Sequence, residues 1–168
     1  TTLMLTGSGT LQVTSLTLGA GATINIATGV TLTVGNAVTF GASNLTNAGI
    51  IRFDNAVDFT SATVTNTGTL RLAGGQLHSG DSFINSGSVR GAGALNMGST
   101  TLTNSGTIFA EGGVLNLTGN LVLTASGTLR FDIGGVERGT GGPVQLTGKR
   151  CRPRLQQRRH QPLQCDYL

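Results

Sequence analysis

Residues 65–72 read TNTGTLRL, and the same pattern returns as FINSGSVRG at residues 83–91 and as TLTNSGTI at residues 101–108. In each copy an asparagine precedes a glycine by two positions, and a short segment with apolar residues follows the glycine. The asparagines of this motif follow one another at a constant interval, and they are Asn47, Asn66, Asn85 and Asn104. A fixed period of this kind is typical of proteins built from stacked structural repeats.

The segments that begin with the motif glycine have the alternation of half-buried strands. They start at nearly equal intervals, at Gly9, Gly29, Gly49, Gly68, Gly87, Gly106 and Gly127. Apolar residues alternate with polar ones within them, as in Ile51 and Phe53, which indicates one buried strand face. One such strand cannot bury that face alone, but stacked coils pair it with equivalent strands about 4.8 Å above and below. The sequence therefore predicts an all-β fold, a parallel β-helix (β-solenoid) of about seven coils with a period of about 19 residues.

The asparagine and glycine of the motif are expected at the corners of the coils. We expect positive φ angles at Gly49, Gly68, Gly87 and Gly106, because glycine has no Cβ to hinder them. The four motif asparagines are expected to form a structural ladder of hydrogen bonds along the rod rather than a ligand site. A β-sandwich would also contain regular short strands, but it has no reason to repeat one corner motif at a fixed interval.

The composition divides the chain into two parts. Residues 1–148 contain five arginines, six acidic residues, no lysine and no cysteine, so this part is almost neutral. Residues 149–168 contain six basic residues, one acidic residue and both cysteines. We therefore assign residues 1–148 to a β-solenoid domain and residues 149–168 to a basic, non-repetitive tail that is disordered or out of frame. The chain begins at Thr1, as expected for an internal fragment or a processed product.

The coils resemble the passenger domains of bacterial autotransporters and are similar to filamentous-haemagglutinin-type adhesins. The segments TNTGTLRL, FINSGSVRG and TLTNSGTI carry the resemblance, and SGTLRFDIGG at residues 126–135 resembles the late passenger region that precedes the membrane anchor. The resemblance covers about residues 1–148. It implies a right-handed β-helix from a longer passenger, displayed outside the outer membrane, where it acts in adhesion, aggregation or biofilm formation.

A stripe of arginines is the candidate binding surface. Arg52, Arg71 and Arg90 follow one another at the same interval as the motif asparagines, and Arg130 has the same place in its own coil. Because they alternate with apolar positions, we expect them to point outward. Planar guanidinium groups suit sugar or phosphate ligands, but a solvated strand face that blocks edge-to-edge aggregation is the simpler explanation. Phe109 takes the equivalent position in one coil and interrupts the stripe.

Residues that could support catalysis or metal binding form no complete set. Asp54, Asp58 and Asp81 are the acids to consider for the alternative function, a β-helix enzyme that cleaves polysaccharides with paired carboxylates. The interval from Asp58 to Asp81 is not a whole number of coils, and His78 is alone in a turn-like stretch. We therefore predict no enzyme activity, no catalytic or metal-binding residue and no cofactor.

The predicted function is that of a structural and adhesive segment of an exported bacterial surface protein. Its expected partners are surface molecules or polysaccharides of a host or neighbouring cell, at the cell surface or in the extracellular space. Because neither end coil has an evident cap, we expect self-association through the solenoid ends. We expect no specific nucleic-acid partner and no membrane insertion by this segment. Ice binding is the weakest alternative, because Val30, Ile50 and Ser88 interrupt the threonines that follow the coil glycines.

Overall fold

The computed structural model describes residues 1–36, 38–40, 44–59, 63–131 and 144–147. For residues 38–40, 57–59 and 144–147 it describes the backbone alone. The predicted basic tail at residues 149–168 lies outside the described residues, so the division into two domains stays a prediction.

The described residues form fifteen β-strands. The strands are β1 (Thr2–Leu5), β2 (Gly9–Val13), β3 (Thr23–Ile26), β4 (Val30–Val34), β5 (Val38–Phe40), β6 (Asn44–Asn47), β7 (Ile50–Phe53), β8 (Val57–Phe59), β9 (Val64–Asn66), β10 (Thr69–Ser79), β11 (Phe83–Asn85), β12 (Ser88–Asn104), β13 (Thr107–Leu123), β14 (Thr128–Phe131) and β15 (Val144–Thr147). A helix long and apolar enough to cross a bilayer does not occur among these residues.

The strands stack in three rows, which we call faces A, B and C. Face A contains β1, β3, β6, β9, β11 and the last segments of β12 and β13. Face B contains β2, β4, β7, the first segments of β10, β12 and β13, and β14. Face C contains β5, β8, later segments of β10, β12 and β13, and β15.

All pairings between the described strands are parallel, and each strand pairs with the equivalent strand of the next coil. The chain makes about six turns between the seven levels of face A, with partners 19 residues apart through the middle coils. A β-sandwich of the immunoglobulin type has antiparallel sheets, so the parallel pairing rules it out. The predicted β-solenoid and its period are confirmed.

The core of the rod consists of columns of apolar side chains that lie over one another. On face A one column contains Ile24, Leu45, Val64, Phe83 and Leu102, all almost completely buried. Equivalent columns on face B contain the apolar residues that alternate along each strand, and the predicted inward orientation of Ile51 and Phe53 is confirmed. Each fully buried side chain of this size contributes about 1.5–3 kcal/mol relative to an exposed one.

The later coils turn their corners without interrupting the strands. β12 and β13 each span 17 residues and contribute to all three faces. Their register shifts between Gly91 and Gly93 and again between Asn96 and Thr101. Paired residues are 19 positions apart on face B, 22 on face C and 19 again on face A, so the second shift compensates the first within a single coil.

The motif glycines are required for a different reason from the one expected. None of Gly49, Gly68, Gly87 and Gly106 has a positive φ angle, so that prediction was wrong. A Cβ at Gly87 would instead approach the carbonyl oxygen of Gly68 to well under 3.0 Å, and a Cβ at Gly106 would meet Gly87 in the same way. The glycines therefore form a column in which consecutive backbones pack too closely for any side chain.

The first coil is more open than the coils above it. Leu3 and Leu5 on face A and Val13 on face B are only half-buried, although their equivalents in the next coil are buried. Leu11 is 40% exposed, and with Leu5 it lines a shallow groove whose lining is partly apolar and partly polar. Self-association through the solenoid ends stays a prediction, and this groove is the described surface on which it would act.

Candidate functional surface

The arginines predicted to form a stripe lie in one column on the outer side of face B. Arg52 pairs in register with Arg71, and Arg71 pairs with Arg90. Phe109 is next in the column, and Arg130 follows it. We call the set Arg52, Arg71, Arg90, Phe109 and Arg130 the arginine column. Neighbouring levels of parallel strands are about 4.8 Å apart, so the column extends for about 19 Å along the rod.

The positive side chains of the described repeat are concentrated on this line. Every arginine within residues 1–36, 44–56 and 63–131 belongs to the column, and these ranges contain no lysine. The two positions that precede Arg52 in the column hold Thr33 and Gln12, which are uncharged. The strands of face B therefore form with a neutral residue at this outward position in the first two coils, and arginine occurs there only from Arg52 onward.

Two carboxylates neutralise part of the column. Arg52 donates a hydrogen bond of 2.6 Å from Nε to Asp54, which lies two residues along the same side of the chain. Arg90 donates two hydrogen bonds of 2.8 Å, from Nε and Nη2, to the two carboxylate oxygens of Glu111. This bidentate geometry orients the Arg90 guanidinium as well as pairing its charge.

The Glu111 carboxylate interacts electrostatically with more than one arginine. The hydrogen bond from Arg90 is the main cause that lowers the pKa of Glu111, and desolvation opposes it. The charges of Arg90, Arg71 and Arg130 lower this pKa further, because the Glu111 carboxylate lies in the field of all three. The same hydrogen bond raises the pKa of Arg90. Among the described residues Glu111 is thus bonded to Arg90 alone, and it also feels the charges of Arg71 and Arg130.

Phe109 is part of the surface rather than a break in it. The guanidinium of Arg130 lies 4.4 Å from the centroid of the Phe109 ring, and that of Arg90 lies 6.0 Å from it. Both distances are within the range of a cation–π interaction. The ring therefore links the two arginines that its position in the sequence separates. Arg71 has no ion pair with another described residue, since Asp54 and Glu111 bond to its neighbours.

The four motif asparagines lie inside the rod, at the ends of the strands of face A, and each is fully buried. The Nδ2 of Asn47 donates to the Oδ1 of Asn66 at 2.7 Å, and Asn66 donates to Asn85 at 2.7 Å. Asn85 donates in turn to Asn104 at 2.5 Å. We call this set the asparagine ladder. Its groups bond to one another and to backbone carbonyls, so it holds the coils in register.

The asparagine ladder ends where its column changes composition. Ile26 precedes Asn47 in register, and Leu123 follows Asn104. The Oδ1 of Asn47 is buried and accepts no hydrogen bond among the described residues, because Ile26 offers no donor. At the other end Asn104 donates to the carbonyl oxygen of Gly106 at 3.0 Å. The unpaired acceptor, the Oδ1 of Asn47, therefore lies at the first residue of the asparagine ladder.

The acids considered for catalysis are engaged separately. Asp54 bonds to Arg52 at the end of β7, and Asp81 accepts a hydrogen bond of 3.4 Å from the Thr63 hydroxyl before β11. The side chain of Asp58 lies outside the described residues. His78 lies within β10 rather than in a turn, in register with Asp58 and Asn96. Three potential metal ligands do not come together anywhere in the described part of the chain.

The outer side of face A is chemically different from face B. Its central column, which has no charged residue, consists of Met4, Asn25, Thr46, Thr65, Ile84, Thr103 and Val122. Ile84 and Val122 are 45% and 46% exposed, with Thr103 between them. The rod therefore presents a neutral face and a basic column on separate sides of each coil.

Two acidic partners show what the sequence could and could not reveal. The pairing of Asp54 with Arg52 could be inferred from the sequence, because residues two apart on a strand share a side. For Glu111 the period places it near Arg90, because it lies two residues beyond Phe109, but the sequence does not show which of the neighbouring arginines bonds to its carboxylate.

Comparison with known proteins assigns no family to this chain. No family model, no curated protein and no solved structure matches the chain significantly. The parallel β-solenoid with its inner asparagine ladder and outer arginine column is accordingly the basis for a functional proposal.

Proposed function

We propose that this chain is a structural and adhesive segment of an exported bacterial surface protein, of the autotransporter-passenger type. The observation that carries the proposal is the arrangement of the arginine column on a rod whose coils are locked in register. Such a rod presents the same outward position at every level, at a nearly constant rise of about 4.8 Å. A surface of this kind can contact an extended partner at many points at once.

The rigidity of the rod supports an adhesive role. From the second coil onward the described coils pair along three faces, and the asparagine ladder adds buried hydrogen bonds through the middle coils. A rigid surface loses little conformational entropy when it binds, so weak contacts made at several levels add to a useful affinity. The resemblance of the coils to autotransporter passengers and filamentous adhesins agrees with this role.

The proposal places the segment at the cell surface or in the extracellular space. Its partners would be surface molecules or polysaccharides of a host cell or of a neighbouring bacterium, and further copies of the chain through the open first coil. No catalysis and no cofactor form part of the proposal. The role requires the folded rod, because the outward side chains are aligned only when the coils stack.

Adhesion of the isolated chain to cells tests the proposal. Fluorescent beads coated with the full chain should bind to epithelial or bacterial cells more than beads coated with the Gly87→Val variant do. That variant places a side chain against the backbone of Gly68 and should prevent stacking of the middle coils. Far-UV circular dichroism would verify that the wild type is folded and the variant is not. Equal bead binding for both proteins would refute an adhesive role for the folded rod.

A further inference from the structure

We infer that the arginine column is a binding site for a linear acidic polysaccharide, with carboxylate or sulfate groups that lie along the rod axis. The inference rests on the proposed adhesive function only in that it names the class of ligand. Four guanidinium groups and one aromatic ring occupy five consecutive levels. An extended anionic chain can follow such a straight line and present an anion to each level in turn.

The position of the arginines is not a requirement of the fold. Like charges at directly paired positions of neighbouring strands are destabilising, and Arg52, Arg71 and Arg90 are paired in this way. Thr33 and Gln12 fill the same position in earlier coils and form the same strands. A column that keeps like charges adjacent, when neutral residues suffice elsewhere, is better explained by an anionic ligand than by folding.

The carboxylates in the described part of the chain do not neutralise the whole column. Asp54 and Glu111 bond to Arg52 and Arg90, which leaves the charges of Arg71 and Arg130 without a direct ion pair among the described residues. Arg71 is exposed and lies between two paired neighbours. An anion placed over Arg71 would therefore add to the neutralisation that the described carboxylates leave partial.

Two of the guanidinium groups are already oriented for a ligand. Glu111 fixes Arg90 through two hydrogen bonds of 2.8 Å, and the ring of Phe109 supports Arg130 at 4.4 Å. Side chains that are held before binding lose less freedom when a ligand arrives. The planar guanidinium also forms paired hydrogen bonds with carboxylate or sulfate oxygens, which favours these groups.

The geometry favours a polysaccharide over a nucleic acid. Proteins that bind single strands stack bases on exposed aromatic side chains, whereas the Phe109 ring is covered by Arg130. Duplex phosphates follow a helical path, so a straight column about 19 Å long would meet few of them. An extended acidic polysaccharide meets neither restriction.

Biolayer interferometry with the full chain tests the inference. Immobilised dextran sulfate and polygalacturonate supply sulfate and carboxylate, neutral dextran is the reference, and single-stranded polythymidylate is the competing polyanion. Binding to at least one acidic polysaccharide should exceed binding to dextran and to polythymidylate, and it should weaken as salt rises. Arg71→Gln and Arg130→Gln should each weaken it by about threefold to tenfold, as expected for one charged contact at a surface.

Matched variants separate the column from the overall charge. The double variant Thr46→Arg, Arg71→Gln keeps the net charge but moves one arginine to face A, and it should bind as weakly as Arg71→Gln alone. Glu111→Gln keeps an acceptor for Arg90 but removes the negative charge beside the column, and it should strengthen binding. Unchanged circular dichroism and urea midpoints would verify that these proteins are folded. Recovery of wild-type affinity in the double variant would overturn the inference, as would preference for polythymidylate.

The basic residues of the tail require their own control, because they also attract polyanions. A full-length chain with Arg158→Gln and Arg159→Gln lowers that background and should still lose affinity when Arg71→Gln is added. If the tail change abolishes binding and Arg71→Gln has no effect, the column is not the site. If beads coated with Arg71→Gln then still adhere to cells as well as wild-type beads do, the adhesive function is retained and only the acidic-polysaccharide ligand is refuted.

Discussion

Replacement of Asn85 by alanine should destabilise the rod far more than the same change at Asn47. Asn85 lies in the middle of the asparagine ladder, where it accepts from Asn66 at 2.7 Å and donates to Asn104 at 2.5 Å. Asn47 lies at the end of the ladder and makes one ladder bond, to Asn66. Both residues are fully buried, so the cavities left by the two substitutions are similar and the difference isolates the hydrogen bonds.

The magnitude follows from counting what each variant loses. Asn85→Ala removes two ladder bonds, worth about 1 kcal/mol each, and leaves the Oδ1 of Asn104 buried without a donor, which costs about 1–3 kcal/mol more. Asn47→Ala removes one ladder bond, and it leaves the Oδ1 of Asn66 without its donor; Asn47 and Asn85 each also donate to backbone carbonyl oxygens. Asn47→Ala also eliminates the acceptor of Asn47 that is already unpaired, so the two penalties offset each other. We expect Asn85→Ala to cost about 2–3 kcal/mol more than Asn47→Ala.

Urea unfolding followed by far-UV circular dichroism measures this difference. Both variants should keep the strand signal of the wild type in the absence of urea, and the midpoint of Asn85→Ala should lie clearly below that of Asn47→Ala. The comparison uses midpoints because a repeat protein need not unfold in a single step. Equal midpoints would refute the reasoning, since they would mean that the ladder bonds contribute nothing beyond the packing of four similar side chains.

Three further predictions concern the backbone column, the ion pair and the open end. Gly87→Ala should abolish cooperative unfolding, whereas Gly19→Ala, where a Cβ meets no atom within 4 Å, should leave the urea midpoint unchanged. The bond to Arg90 lowers the pKa of Glu111 below its usual value of 4.5, so the ion pair should stabilise the fold fully above about pH 4.5. Its contribution to stability should be lost as the pH falls through the lowered pKa and Glu111 becomes protonated. In Glu111→Gln this acid-dependent drop in the urea midpoint should be smaller. Sedimentation velocity should show association of the full chain that increases with concentration, and Leu11→Asp should reduce it, because Leu11 lines the groove of the first coil.

Much of the architecture could be predicted from the sequence because a solenoid repeats its contacts at a fixed interval. The 19-residue spacing of Asn66 and Asn85 places them in adjacent coils, and the alternation around Arg71 places it outside. Parallel pairing then brings equivalent residues together without further information. The arginine column and the asparagine ladder are both consequences of this single interval.

The parts that could not be predicted depend on where the period varies. The strands of face C have less regular sequences, and β12 and β13 shift register on either side of that face. The contact of Arg90 with Glu111 follows the regular register, because Glu111 lies two residues beyond Phe109, but the sequence does not show that Glu111 bonds to Arg90 rather than to Arg71 or Arg130. The requirement for Gly87 was attributed to its own φ angle, but it arises from the backbone of the neighbouring coil. Such close approaches depend on how tightly the coils stack, which no local pattern records.

The composition of the ladder column indicates how the rod fixes its register. Its inward position holds Leu5 and Ile26 in the first coils, asparagine through the middle four, and Leu123 in the last. After one coil slides over another by an even number of residues an apolar side chain is still buried, whereas an amide would lose its partners and leave buried polar atoms unpaired. The middle coils therefore determine the register, and the end coils take it from them through strand pairing. Because the outward positions share that register, the asparagines inside the rod also set the alignment of the arginines outside it.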